Sequence, residues 1–159
     1  MKSKIPQRPV PLQIQALKLK QLYPDLIDSL MVCRNKLHCV MHLQPSAESI
    51  IYTVRIKYSL ESYPQVWLMK PKELATVDGK KPHHIYKQGK SPEGYEKLCV
   101  FYPHGHEWNR QMYLAESFIP WIITWLSAYE YWQITGEWLY PESKDLKIKE
   151  TKFSSKDKK

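Results

Sequence analysis

The segment from Ser117 to about Thr135 most constrains the fold, because large apolar side chains recur along it at helical spacing. Those side chains are Phe118, Trp121, Ile122, Trp125, Leu126, Tyr129 and Trp132. Ser117 can cap the helix, Pro120 fits its first turn, and Gly136 can end it. A helix this rich in aromatic residues needs a large apolar surface to cover, and we expect that surface to be a small β-sheet.

Two stretches of alternating apolar and polar residues, and a third stretch that is a short apolar run between two prolines, predict the strands of that sheet. The first begins near Met31 and continues through Leu37, Cys39 and Met41. The second covers residues 51–58 and the third covers residues 66–69. A Pro-Ser turn at residues 45–48 separates the first two stretches. The simplest arrangement is an antiparallel meander of three strands joined by hairpins.

The remaining elements are an N-terminal helix and a long loop. Leucines at helical spacing predict an amphipathic helix over residues 11–22, and Pro24 either stops it or begins a short second helix over residues 25–29. Glycine and proline punctuate residues 71–98, which predicts a long loop, and such a loop in a small domain is usually functional. The fold class expected from these elements is α+β.

The composition suits one globular domain. The chain has 159 residues, 43% of them apolar, and it contains neither a membrane-length apolar run nor a signal-peptide core. We therefore expect a cytoplasmic protein with one domain over residues 1–143 and a disordered, Lys-rich tail over residues 144–159. Half of the net charge of +8 lies in this tail, so the charge is weak evidence for nucleic-acid binding.

The three cysteines, Cys33, Cys39 and Cys99, argue against a disulfide framework, because their number is odd and no secretory signal precedes them. Cys33 and Cys39 fall in the strand-like alternation and are predicted to be small buried side chains. Cys99 is a candidate nucleophile, because a thiolate attacks acyl groups well and leaves readily. The alternative interpretation is that Cys99 is a structural cysteine buried in the core.

The order of motifs resembles the ubiquitin-conjugating enzyme family over about residues 10–135. Tyr63-Pro64 resembles the family's Tyr-Pro before its third strand, and Leu98-Cys99 resembles its active site. The segment from Pro82 to Tyr86 resembles its His-Pro-Asn motif, and Trp108 resembles the tryptophan before its next helix. The resemblance implies a ubiquitin-conjugating-like fold with an N-terminal helix, an antiparallel strand meander, an active-site loop and, here, a Trp-rich C-terminal helix.

Several departures from the common family pattern point to a subgroup. His84 stands where the family has its asparagine, an insertion lies within residues 87–96, and the two usual C-terminal helices are absent. The run from Pro120 to Trp138 resembles the shorter bacterial members encoded in antiviral cyclic-oligonucleotide (CBASS) operons. The resemblance implies that Cys99 carries the C-terminus of a cGAS-like nucleotidyltransferase, or another ubiquitin-like donor, to a lysine of a target protein. A chain of 159 residues leaves no room for an activating domain, so a separate activating enzyme is a possible partner.

Four histidines are candidates for the chemistry around Cys99 in this resemblance. His84 could stabilise the oxyanion, and His83 lies beside it in the same motif. His104 or His106 could accept the proton of the attacking amine. Lys18 and Lys20 on the N-terminal helix resemble the face that meets an activating partner. No cofactor or membrane partner is expected.

Three alternatives remain open at this stage. Cys99, His104 and His106 with His83 or His84 could bind zinc, although their spacing is not that of a common zinc finger, so no metal is expected. The same fold could serve as a non-catalytic binding module. A basic nucleic-acid-binding protein is the third class, but the lysine cluster lies in the tail, away from the aromatic residues.

Overall fold

A computed structural model of the protein describes residues 7–139. The predicted tail over residues 144–159 therefore lies outside the described residues. The fold is α+β, as predicted: a helix, a five-stranded antiparallel sheet and a second helix. The elements in chain order are α1 (Leu12–Leu22), β1 (Ile27–Cys33), β2 (Lys36–Leu43), β3 (Tyr52–Tyr58), β4 (Gln65–Lys70), β5 (Glu96–Leu98), a short 3₁₀ turn (Pro103–Gly105) and α2 (Phe118–Thr135).

The sheet is a meander in which the strands lie in chain order from β1 to β5, so the prediction of three strands was too few. Residues 25–29 do not form a second short helix, because Ile27 begins strand β1, which pairs with β2. Arg34 and Asn35 join the two strands in a tight turn with φ of 50° and 59°. Two such left-handed residues match the twist of a two-residue hairpin. β1 and β5 are the edges of the sheet.

Helix α1 confirms the prediction of a helix over residues 11–22 and packs beside the segment before α2. Leu12 and Leu19 are buried, but Leu17 and Leu22 are exposed, so only part of the leucine pattern enters the core. Gln15 is fully buried and is bonded at both ends of its amide. Its amide nitrogen donates to the Met112 carbonyl at 2.8 Å, and its oxygen accepts from the Leu114 N–H at 2.9 Å.

Helix α2 covers the inner face of the sheet, as predicted for the Trp-rich segment. Its buried aromatic residues include Trp125, Tyr129 and Trp132, and the Tyr129 ring meets Tyr52 of β3 edge to face at 6.4 Å. Gly136 ends the helix in the left-handed conformation, with φ of 74°. Ser117 does not cap the helix with its side chain, because its hydroxyl donates to the carbonyl of Tyr113 instead.

Neither α1 nor α2, the helices of the described residues, combines the length and apolarity that a membrane span requires.

Trp108, which resembles the family's tryptophan before the next helix, is buried in the core, and its ring meets Tyr58 edge to face at 5.5 Å.

Candidate active site

Cys99 follows the last residue of β5, and the segment from His84 to Tyr86 lies along the outer edge of that strand. The Cys99 N–H donates to the His84 carbonyl at 2.8 Å, and the Tyr86 N–H donates to the Lys97 carbonyl at 3.0 Å. Ile85 bridges to Leu98 between these two hydrogen bonds. The segment that resembles the His-Pro-Asn motif is thus held against Cys99 by main-chain contacts, which fix their relative positions.

The Cys99 side chain is half-buried and has polar neighbours. Its thiol donates to the Phe101 carbonyl at 3.5 Å, and the Tyr86 hydroxyl lies within hydrogen-bonding range of the sulfur. Burial first, and then the nearby Cys99, raises the pKa of Tyr86, so this phenol stays protonated at neutral pH. A protonated hydroxyl can donate to a thiolate, which is the reactive form of cysteine.

The other two cysteines have different surroundings. Cys39 is fully buried in β2, and burial raises the pKa of its thiol to about 12. Cys33 is exposed at the end of the edge strand β1, so the prediction that it is buried was wrong. Cys33 belongs to β1 and Cys99 follows β5, at the opposite edge of the sheet. Of the three cysteines, only Cys99 is both partly exposed and in contact with the segment that resembles the family's active-site loop.

A buried carboxylate ties down the loop that carries this segment. Glu96 of β5 is only 4% exposed. One of its carboxylate oxygens accepts a hydrogen bond from the Lys81 ammonium group at 2.8 Å, and the same oxygen forms an ion pair with Lys90 at 3.3 Å. Lys81 and Lys90 stand on either side of His84 and Tyr86 in the chain. The two ion pairs therefore close the loop at both ends against the strand that leads to Cys99.

Aromatic residues from α2 and the segment after it support the other side of the loop. The Trp125 indole N–H donates to the His84 carbonyl at 2.9 Å. The Trp138 ring lies 5.4 Å from both the His84 and the Trp125 rings, and it lies 6.5 Å from the ring of His83. His84 itself has φ of 58°, a backbone conformation that is uncommon for residues other than glycine and is enriched at functional sites.

The structure separates the four predicted histidines into two groups. His83 is exposed and His84 is half-buried, both beside Trp138. His104 and His106 are exposed at the 3₁₀ turn after Cys99, where the His104 ring lies 5.6 Å from that of Tyr102. In the part of the chain from residue 7 to residue 139, no three His, Cys, Asp or Glu side chains form a group that could hold a metal ion.

A hollow of about 230 Å³ lies beside the chain at Cys99, although Cys99 itself is not among the residues that line it. Residues on either side of the cysteine line it, Lys97 and Phe101 among them, together with Tyr86. Tyr63 of the Tyr-Pro motif and His104 complete the wall, so His104, unlike His106, is part of this surface. The hollow is mixed in character, with aromatic rings, one ammonium group and one imidazole around it.

Sequence reasoning missed three contributors to this site: Glu96, Lys97 and Trp125. Trp125 was assigned to the core alone, and its hydrogen bond to the loop depends on tertiary packing. Lys97 could have been found, because residues i and i+2 of an extended chain point to one side, which places Lys97 with Cys99. Glu96 carried no such signal, since its partners are distant in the sequence.

Comparison with known protein families assigns most of the chain to one family. The model of the family described as "E2-CBASS: Type II CBASS E2 protein" matches residues 15–145, which include every element from α1 to α2 except the first helical turn. No curated protein matches the sequence.

Proposed function

The chain belongs to the type II CBASS E2 family, and we propose that it carries a protein C-terminus as a thioester on Cys99 and transfers it to a target amine. Membership implies an E2-like role in antiphage defence. The proposed donor is a cGAS-like nucleotidyltransferase, the proposed acceptor is a lysine of a target protein, and the proposed location is the cytoplasm. A separate activating enzyme would supply the donor in activated form.

The observation that carries this proposal is the setting of the Cys99 sulfur. It is half-buried, it is next to a protonated phenol, and the residues directly before and after Cys99 in the chain line a hollow. Cys39 lacks access and a reactive pKa, which makes it unsuited to nucleophilic attack. Cys33 has access but lies on the opposite edge of the sheet from the active-site loop.

Two bond exchanges make up the proposed reaction. In the first, the Cys99 thiolate attacks the activated carbonyl carbon of the donor, a C–S bond forms, and the bond to the activating group breaks. In the second, the target amine attacks the thioester carbonyl, a C–N bond forms, and the Cys99 thiolate leaves. The amine loses one proton in this step, so a base beside the sulfur assists it.

We propose His104 as that base, because it lines the same hollow as Leu98 and Val100, the chain neighbours of Cys99. His84 remains the proposed donor to the oxyanion, held at its carbonyl by Cys99 and Trp125. His106 is a matched control for His104, since both are exposed residues of the same turn. His104→Gln should slow discharge to lysine by roughly a hundredfold while leaving thioester formation intact, and His106→Gln should change neither step. Equal rates in wild type and His104→Gln would remove His104 from the mechanism.

The thioester itself is tested by reconstitution with the nucleotidyltransferase of the same operon and its activating enzyme. Wild-type protein should gain a donor-sized mass on non-reducing gels that thiol treatment removes. Cys99→Ala should gain none, and any adduct on Cys99→Ser should resist thiols and break in alkali, because esters resist thiols better than thioesters do. Cys33→Ser is the control, because it removes a more exposed sulfur at the opposite edge of the sheet, and it should behave as wild type. If Cys99→Ala still conjugates its donor and still protects cells from phage, the domain is a binding module and Cys99 is structural.

A further inference from the structure

Lys97 has an unusual position for a surface lysine, because its side chain is held between aromatic rings beside the nucleophile. Its ammonium nitrogen lies 4.5 Å from the centre of the Tyr86 ring and 5.9 Å from that of Trp67, its partner on β4. The stem is confined as well, since a Cβ added at Gly89 would stand 3.0 Å from the Lys97 Cδ. In residues 7–139, Lys97 takes part in no ion pair with a carboxylate, so no acidic side chain neutralises its charge.

The same side chain faces Cys99. The two residues are two positions apart at the end of β5, a spacing that places side chains on one side of an extended chain. Tyr86 contacts both of them, with its ring under the ammonium group and its hydroxyl at the sulfur. Burial lowers the pKa of Lys97, and the neighbouring Cys99 opposes that shift, as expected where a cation and a sulfur attract each other.

We propose that Lys97 is a positioning residue that holds a fixed positive charge beside Cys99 and keeps the sulfur in its thiolate form. The inference rests on the proposed function, in which that thiolate attacks the donor. The thiolate needs groups that stabilise its negative charge, because the Phe101 carbonyl accepts a hydrogen bond from the Cys99 thiol and so favours the neutral sulfur. The ammonium group of Lys97 and the hydroxyl of Tyr86 favour the charged sulfur.

Other charged or titratable groups surround this pair and must be separated from it. Lys57 and Arg55 of β3 also approach the Trp67 ring, at 5.4 Å and 5.8 Å, and Glu93 pairs with Arg55. His104 lines the same hollow as Lys97, and the main-chain carbonyl of His84 accepts a hydrogen bond from the Cys99 N–H. Lys57 is the matched control, because it is a lysine on the same ring but two strands from β5. Two strands correspond to about 10 Å, close to one Debye length at moderate salt.

The test measures the alkylation rate of Cys99 by iodoacetamide over a range of about pH 5 to 10, with peptide mass spectrometry to separate Cys99 from Cys33 and Cys39. Lys97→Met keeps the apolar stem and removes the charge, Lys97→Gln is a second neutral variant, and Lys97→Arg restores the charge. Both neutral variants should shift the rate profile to higher pH and lower the rate at neutral pH roughly three- to tenfold. Lys97→Arg should restore most of the rate, and Lys57→Met should follow wild type. High salt should reduce the rate of wild type toward that of Lys97→Met.

A profile for Lys97→Met or Lys97→Gln that superimposes on wild type would overturn the inference. An equal shift in Lys57→Met would also overturn it, since the effect would then belong to the general charge of the sheet face. The salt series on wild type needs no substitution, so it tests the inference even if a variant does not fold. Alkylation involves no donor protein, so failure here is distinct from failure of the proposed function, which shows as conjugation by Cys99→Ala.

Discussion

Replacing Glu96 with glutamine tests whether one buried carboxylate organises the loop beside Cys99, which is part of the candidate active site. Glu96 makes two ion pairs, with Lys81 and Lys90, which close the loop from both ends. Glutamine has nearly the same shape, so the substitution removes the charge without creating a cavity. We expect the loop to loosen and the domain to lose stability.

The size of the loss follows from the exposure of the partners. A hydrogen bond to a charged group contributes about 1.5–3 kcal/mol when it is buried. Lys81 and Lys90 are 53% and 51% exposed, so screening by solvent reduces each contribution to about 1 kcal/mol. The amide oxygen can keep a weaker hydrogen bond, and the desolvation cost of the carboxylate disappears. The expected loss is therefore about 1–2 kcal/mol, or about 3–6 °C in Tm.

The loss should depend on pH in a definite direction. Burial raises the pKa of Glu96, but the hydrogen bonds and charges of the two lysines outweigh it, so the pKa in the folded protein is lowered. A carboxyl group of this kind contributes stability above its unfolded pKa of about 4.3, and the contribution is lost as the pH falls through the folded pKa. The difference between wild type and Glu96→Gln should be complete at neutral pH and disappear in acid.

Urea denaturation at several pH values measures this difference, and hydrogen exchange at the Tyr86 amide, which is bonded to the Lys97 carbonyl, reports on the loop. Glu73→Gln is the control in the loop of residues 71–98, because Glu73 is exposed and makes no ion pair with another residue of the described range 7–139. Its effect should be well below that of Glu96→Gln. Equal losses in the two variants, or an unchanged exchange rate at Tyr86, would refute the role given to Glu96.

Three further predictions concern other parts of the chain. Native protein should be alkylated at Cys33 and Cys99 but not at Cys39, whose buried thiol has a pKa of about 12, and labelling of Cys39 without unfolding would contradict its burial. Trp125→Phe should cost about 1–3 kcal/mol through a smaller ring and the lost hydrogen bond to the His84 carbonyl, and it should slow thioester formation. Trp132→Phe, on the same helix, should lower Tm without slowing that step. Removal of residues 144–159 should leave Tm and thioester formation unchanged, because that segment has few apolar residues, and a large fall in Tm would show that it packs on the domain.

The sequence by itself determined the main layers of the protein. Apolar residues at helical spacing predicted α2, and its position over the sheet followed from the need to bury Trp125 and Tyr129. Alternation predicted β2 and β3, because one face of each strand is buried, and a short apolar run between two prolines predicted β4. The order of Tyr-Pro, the histidine segment and Cys99 predicted the family. The order and spacing of motifs along a chain can be read from the sequence without knowing how the loop between them folds.

Tertiary structure decided which of the remaining residues belong together. β1 was not predicted, because it is a seven-residue strand at the edge of the sheet and is defined by its pairing with β2. Cys33 is exposed because it lies at the end of this edge strand. The grouping of Glu96 with Lys81 and Lys90 depends on a loop closure that no local pattern encodes. His104 borders the hollow beside Cys99, although His106 has the same residue type in the same turn. Sequence periodicity records which face of an element is buried, whereas contacts between distant residues are set by the packing of whole elements.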